Sequence, residues 1–386
     1  MAFLANGAVN RVNLHSAVVA LAESAGGVFF LVYLLKAGVP APVVLAAQAA
    51  VFIGRFLLRP ALLPLAVRFG LKPLLIAGTL GLAAQYPMLS QVHGVGAWLW
   101  ATCAVAAFGE LFYWLAYNTV FAVIGDAERR GQQIAAREAA VALVGIVGPI
   151  AGAWALATLG PGPAFAAVGL VQMLAAIPLL GLPNVAVARQ AAGAFAAGRR
   201  GFALLAADGW FDAAFIYVWR IALFIALGSD IAAYGGAMAL AGLVGAGAGL
   251  AIGRHIDAGR GRRAVALTYA VAAGLVVIRA ASLGSPWLAA AANAAGAALL
   301  PLLSPTLGSA TYNLAKASPC PLRFHMATEG GWDFGASLAL LAAAALSALG
   351  APLAYPLLLA LAGVAASARL LWRYYGRLAQ AAGAGA

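Results

Sequence analysis

Residues 96–124 read GAWLWATCAVAAFGELFYWLAYNTVFAVI, and Glu110 is the only formal charge among them. A run of this length and apolarity, wound as helix, is long enough to cross the roughly 30 Å hydrocarbon layer of a bilayer. Working outward, similar runs recur on both sides along the whole chain. Residues 13–36, 41–63, 71–90, 96–124, 137–158 and 163–181 form a first set of expected helices. Residues 202–228, 231–253, 264–282, 286–314, 328–348 and 351–374 form a second. The fold expected is therefore an all-α polytopic membrane protein of twelve transmembrane helices.

Composition agrees. Of 386 residues, 65% are hydrophobic and 9% charged, too little polar surface to clothe a soluble globule of this size. The first apolar run leads into further spans rather than a polar mature domain, so no cleaved signal peptide is expected. The net charge of +12 comes from short loops and forms no nucleic-acid-binding stripe. Nineteen of the 23 basic residues fall on one side if the amino terminus is cytoplasmic, among them Arg59, Arg68, Lys72, Arg189, Arg262, Arg263 and Arg323. Lys36 and Arg279 fall near the other face, and Arg55 and Arg220 inside helices. The positive-inside rule then puts both termini in the cytoplasm of a bacterial inner membrane. Cys103 and Cys320 have neither metal-ligand nor redox spacing, and no nucleophile set or phosphate loop is present. Neither an enzyme, a metal centre nor a cofactor is expected.

The halves echo one another. Tyr117-Asn118 precedes Arg137-Glu138 by about twenty residues, and Tyr312-Asn313 stands in the same relation to Thr328-Glu329, about 190 residues later. This points to two pseudo-symmetric six-helix bundles, 1–182 and 202–386, joined by a cytoplasmic linker at 183–201. Internal repeats of this kind mark transporters that rock two bundles about one site.

The segment Gly253-Arg254-His255-Ile256-Asp257-Ala258-Gly259-Arg260-Gly261-Arg262-Arg263 resembles the loop signature of the major facilitator superfamily: a glycine, an aspartate four residues on, then a basic turn. In the first half only Arg68, Gly70 and Lys72 keep the pattern, with Leu62 and Ala66 in place of glycine and aspartate. Gly148-Pro149-Ile150-Ala151-Gly152 resembles part of the glycine-proline signature of that superfamily's antiporters, although Val144 and Ala153 depart from it. The resemblance implies a monomeric secondary transporter with a cytoplasmic gate at these loops, and the helix-five motif leans towards export. It also implies that helices one, four, seven and ten line a central cavity.

Those helices carry charges the bilayer penalises by about 2.5–3.5 kcal/mol each at its centre. Glu23 lies in the first, Glu110 in the fourth, and Asp208, Asp212 and Arg220 in the seventh. Glu110, Tyr113 or Trp114, and Tyr117 recur at helical spacing, a face suited to an amphipathic or cationic solute. Asp208 and Asp212 stand one turn apart with Trp210 and Trp219 nearby. Carboxyls in such a cavity can exchange protons near neutral pH, so protons are the expected coupling ion, with Asp208 or Asp212 ranked first, then Glu23, then Glu110. Arg55 and Arg220 stay charged and must pair with an acid or face water or an anion. Glu138, Glu329 and Asp333 are read as acids at helix starts, capping or gating. Two other functions remain open: an uptake permease recognising an anionic metabolite through Arg55 or Arg220, and a non-transporting receptor or assembly factor on the same scaffold.

Overall fold

The computed structural model describes residues 6–124, 130–252, 261–316 and 318–383. Helices make up 86% of the protein, and no strand occurs among the described residues. In chain order they are α1 (Gly7–Lys36), α2 (Ala41–Phe69), α3 (Leu71–Leu89), α4 (Ala97–Ile124), α5 (Arg130–Thr158) and α6 (Pro161–Leu180). There follow α7 (Ala194–Ala226), α8 (Ile231–Ile252), α9 (Gly261–Ser282), α10 (Pro286–Ala315), α11 (Pro321–Ala348) and α12 (Ala354–Leu378). Eleven of them are long and apolar enough to cross a membrane. The other, α3, has 19 residues but is diluted by Lys72 and Gln85. The chain is a polytopic helical membrane protein.

Local chemistry sets the ends. Asn6 caps α1, its Oδ1 accepting from the Val9 amide at 3.1 Å. Pro161, Pro286 and Pro321 open α6, α10 and α11, where a missing N–H costs nothing and φ is already helical. Several boundaries differ from the sequence expectation, among them the end of α2 at Phe69 rather than residue 63 and the start of α5 at Arg130 rather than residue 137. Helix α1 starts at Gly7 rather than residue 13, α7 starts at Ala194 inside the stretch read as linker, and α11 starts at Pro321 rather than residue 328. The last shift moves two acids from a helix start to its interior.

Helix α1 packs on α5 and α6, α3 on α4 and α6, and α2 on α4; α7 packs on α11 and α12, α9 on α10 and α12, and α8 on α10. The two sets meet chiefly along α2 with α11 and along α5 with α8. Small residues permit the tightest approaches. Gly148 and Gly152 of α5 face Ser24 and Ala25 of α1, while Gly331 and Gly335 of α11 face the backbone of Phe202 and Ala206 in α7. Gly335→Leu should therefore separate α7 from α11 and lower stability by about 1–3 kcal/mol or more. Gly274→Leu, at a glycine with open space around it, should melt like the parent. Thermal unfolding of both variants in detergent checks this, and equal melting would refute the packing.

Candidate functional site

Arg55 and Arg59 stand one turn apart on α2 and are 7% and 6% exposed. On α11, His325, Glu329 and Asp333 recur every four residues along one face, and from α4 come Glu110 and Asn118. Arg55 donates to Glu110 Oε2 at 2.7 Å and lies 3.1 Å from Asp333 Oδ1. Arg59 donates to Asp333 Oδ2 and lies 3.9 Å from Glu329. Asn118 donates to Glu329 at 3.0 Å, and His325 Nδ1 is 3.9 Å from the same carboxylate. Asp333 is fully buried. Ions held this far from water persist only when paired, which accounts for the density of partners.

This cluster corrects two sequence readings. Glu329 and Asp333 do not begin a helix, because α11 already runs two turns before Glu329. Arg59, grouped there with the charges of the cytoplasmic loops and helix ends, lies well inside α2, which continues through Pro60 and Pro64 to Phe69. The side chain of Glu138, the third acid read as a cap, lies outside the described residues.

Aromatic rings cover the inner side of the cluster. The Arg55 guanidinium sits 5.4 Å from the Phe52 ring and 5.6 Å from that of Trp332. Phe52 meets Trp332 and Tyr217 edge-on at 4.9 and 5.2 Å. Trp332 Nε1 donates to Asp212 at 3.1 Å. Tyr217, on α7, feels the charges of Glu110, Arg220, Arg55 and Asp212, so four sequence candidates share one neighbourhood.

Glu23 borders the same region, within the electrostatic reach of Glu110 and Arg220. Its side chain is exposed, it receives a 3.4 Å hydrogen bond from Tyr86, and it has no ion-pair partner among the described residues. Helix α1 narrows to a 3₁₀ turn at Gly27–Phe29 one turn later. Arg220 is half-buried, 5.8 Å from the Tyr217 ring, and likewise without a carboxylate in ion-pair range among the described residues.

Other candidates have other neighbours. Asp208 is nearly buried and, like Asp212, lies within electrostatic reach of Tyr269 on α9. Tyr113 and Tyr117 turn to α1, with ring centres 5.6 and 6.3 Å from His15, and Tyr117 shares a 2.7 Å hydrogen bond with Ser16. Trp114 is 41% exposed, its ring 5.0 and 6.2 Å from those of Tyr113 and Tyr117. Gly148 and Gly152 are taken up by α1, while the Pro149 carbonyl borders Gly235 of α8.

Each basic turn packs on the last helix of its own set. Lys72 Nζ donates to the Leu180 carbonyl at 2.5 Å. Asn184 closes the Gly70 turn (φ +79°), accepting from the Lys72 amide and donating to the Phe69 carbonyl. Arg68 rests 5.0 Å from the Phe69 ring. Arg262 lies 5.1 Å from the Trp372 ring of α12, Gly261 meets Tyr375, and Arg263 is exposed. Gly253, Asp257 and Arg260 lie outside the described residues.

One buried charge escaped the sequence reading. Arg279, assigned there to a surface, is 5% exposed between the rings of Phe215 and Trp219, 3.8 and 4.7 Å away. It donates to the Phe215 carbonyl at 2.5 Å, within the π-helical segment Ala213–Val218 of α7. Trp219 in turn donates to Asn293 on α10 at 2.9 Å. No acid pattern could have revealed Arg279, because its partners are a carbonyl and two rings. No family model matches the chain and no curated protein matches it, so the functional reading rests on the arrangement of these residues.

Proposed function

We propose that the chain is a proton-coupled secondary transporter of the major facilitator type, working as a monomer to move a small organic solute across the bacterial inner membrane, in the direction of export. The observation that carries this reading is the ionic cluster in which Arg55 and Arg59 of α2 meet Glu329 and Asp333 of α11, with Glu23 within electrostatic reach of Glu110 and without an ion-pair partner among the described residues. Charges so costly to bury are retained in membrane helices for solute and ion handling. Helix pairing supports two related bundles: α1 on α5 recurs as α7 on α11, α3 on α6 as α9 on α12, and α2 on α4 as α8 on α10. A cluster tying α2 to α11 must open and re-form if those bundles rock about a central site. The glycine-proline segment of α5 supports export only through its resemblance to antiporters.

Arg220 favours a second reading, uptake of an anionic metabolite, because it has no carboxylate partner among the described residues. One experiment separates the possibilities. Purified protein in liposomes holding a pH-sensitive dye is given a panel of organic cations, such as ethidium, and of small carboxylates under an imposed pH gradient. Proton movement driven by the cations supports the proposal, and movement driven by the carboxylates supports the second reading. Saturable binding without any solute flux would make the chain a receptor and overturn both.

A further inference from the structure

We propose that the cleft between the end of α2, the 181–193 connection and the start of α11 binds the phosphate head group of an anionic phospholipid. The cleft encloses about 790 Å³ and is lined by Leu63, Pro64, Val67, Arg68, Val187, Arg189 and Arg323. Its lining is divided: aliphatic side chains on α2 and the connection, and three guanidinium groups.

The arginines hold different positions. Arg323 is 5% exposed and engaged, donating to the carbonyls of Ala188 and Arg189 at 2.9 and 2.8 Å and to Cys320 Sγ at 3.4 Å. It pins the connection and so holds Arg189 at the cleft. Arg68 and Arg189 are exposed, and neither has a carboxylate within 4 Å among the described residues. Three guanidiniums gathered without a described counter-charge repel one another, and a phosphate satisfies their forked donors better than any neutral group.

The surface below the cleft argues for a lipid rather than a soluble anion. Leu57, Pro60, Ala61, Pro64 and Arg68 are all exposed on α2, and their offsets of three, four, seven and eleven residues from Leu57 place them on one face. At 1.5 Å per residue this stripe runs about 17 Å from Leu57 to Arg68, close to half of a roughly 30 Å hydrocarbon layer. An acyl chain lying along it brings its head group to the arginines. Because α2 and α11 both border the cleft, the bound lipid also favours the packed arrangement of those helices. The inference rests on the chain being a membrane protein and is independent of what it transports.

The test is thermal unfolding of the purified full chain in a mild neutral detergent. Phosphatidylglycerol is titrated against phosphatidylcholine of the same acyl chains and against inorganic phosphate. Phosphatidylglycerol should raise the apparent melting temperature saturably, since a ligand of the folded state stabilises it by mass action. The other two should not. The double variant Arg68→Gln/Arg189→Gln should melt like the parent without lipid and bind phosphatidylglycerol roughly thirtyfold more weakly, from the usual worth of two basic residues at an anionic lipid surface. If the double variant does not fold, each single variant is read the same way, with a loss of roughly fivefold. Equal stabilisation by phosphate would make this a soluble-anion site, and equal stabilisation by phosphatidylcholine would make it an unspecific apolar groove. Unchanged phosphatidylglycerol binding by the folded variants would place the lipid elsewhere. Any of these three results overturns the proposal.

Discussion

Asp333→Ala is expected to destabilise the folded protein by about 3–5 kcal/mol, the usual cost of removing one partner from a buried ion pair. Asp333 is fully buried and answers two guanidiniums, Arg55 at 3.1 Å and Arg59 by a hydrogen bond. Arg55 keeps Glu110 at 2.7 Å in the variant, whereas Arg59 keeps, among the described residues, only Glu329 at 3.9 Å. Most of the cost should therefore fall on Arg59. Adding Arg59→Met to Asp333→Leu should recover much of the loss, because replacing both members of a buried pair by apolar groups is often close to neutral. Denaturant unfolding in detergent, followed by tryptophan fluorescence, measures the series. An Asp333→Ala protein as stable as the parent would show that the carboxylate is not the buried counter-ion described above. A double variant no better than the single one would show that the arginines are not held by this pairing.

How far the sequence reveals this network depends on which signals were local. Arg55 and Glu110 are readable because each is a lone charge deep in an apolar run, and a membrane forces such charges to find partners. Asp333 and Glu329 were hidden by a misplaced helix start. Reading α11 from residue 328 put both in its first turns, although Pro321 is itself a start signal and Arg323 and His325 belong to the same helix. Arg59 falls inside the run expected as helix 41–63 but so near its end that it counts among the charges of the cytoplasmic side, whereas α2 passes through Pro60 and Pro64 to Phe69. Neighbouring helices can supply the packing that lets a membrane helix carry proline. Asp208 and Asp212 are four apart and share a side of a straight helix, and both lie within electrostatic reach of Tyr269, but only Asp212 is held by Trp332. Spacing gives the angle between side chains, and only the neighbours decide what each of them meets.

That difference reorders the coupling acids. Glu23→Gln is expected to abolish proton-driven solute gradients while leaving solute exchange intact, on the proposal that protons drive transport. Glu110 is bound to Arg55 at 2.7 Å, so its amide would disturb the ionic cluster as well as any titration and would not isolate coupling. Asp208 is nearly buried, which keeps it from exchanging protons as readily as an exposed acid. Asp212 accepts a hydrogen bond from Trp332 and ranks second. Glu23 combines three properties the others lack together: it is exposed, it has only the Tyr86 hydroxyl as a described hydrogen-bond partner, and it sits one turn before the 3₁₀ segment of α1. Such a carboxyl can change protonation without breaking an ion pair, and the segment beside it offers a place for α1 to flex. The amide keeps the size and the Tyr86 contact while removing the proton. With 100 mV across the membrane, one coupled charge is worth about 2.3 kcal/mol, enough for a solute gradient of roughly 50-fold. In liposomes carrying Glu23→Gln the gradient should fall to unity, with counterflow of labelled solute persisting. Asp212→Asn should weaken the gradient without removing it. Full gradients in both variants would refute proton coupling through these acids and leave the helix packing and the Arg55, Arg59 and Asp333 cluster untouched, because neither substitution alters an ion pair in it.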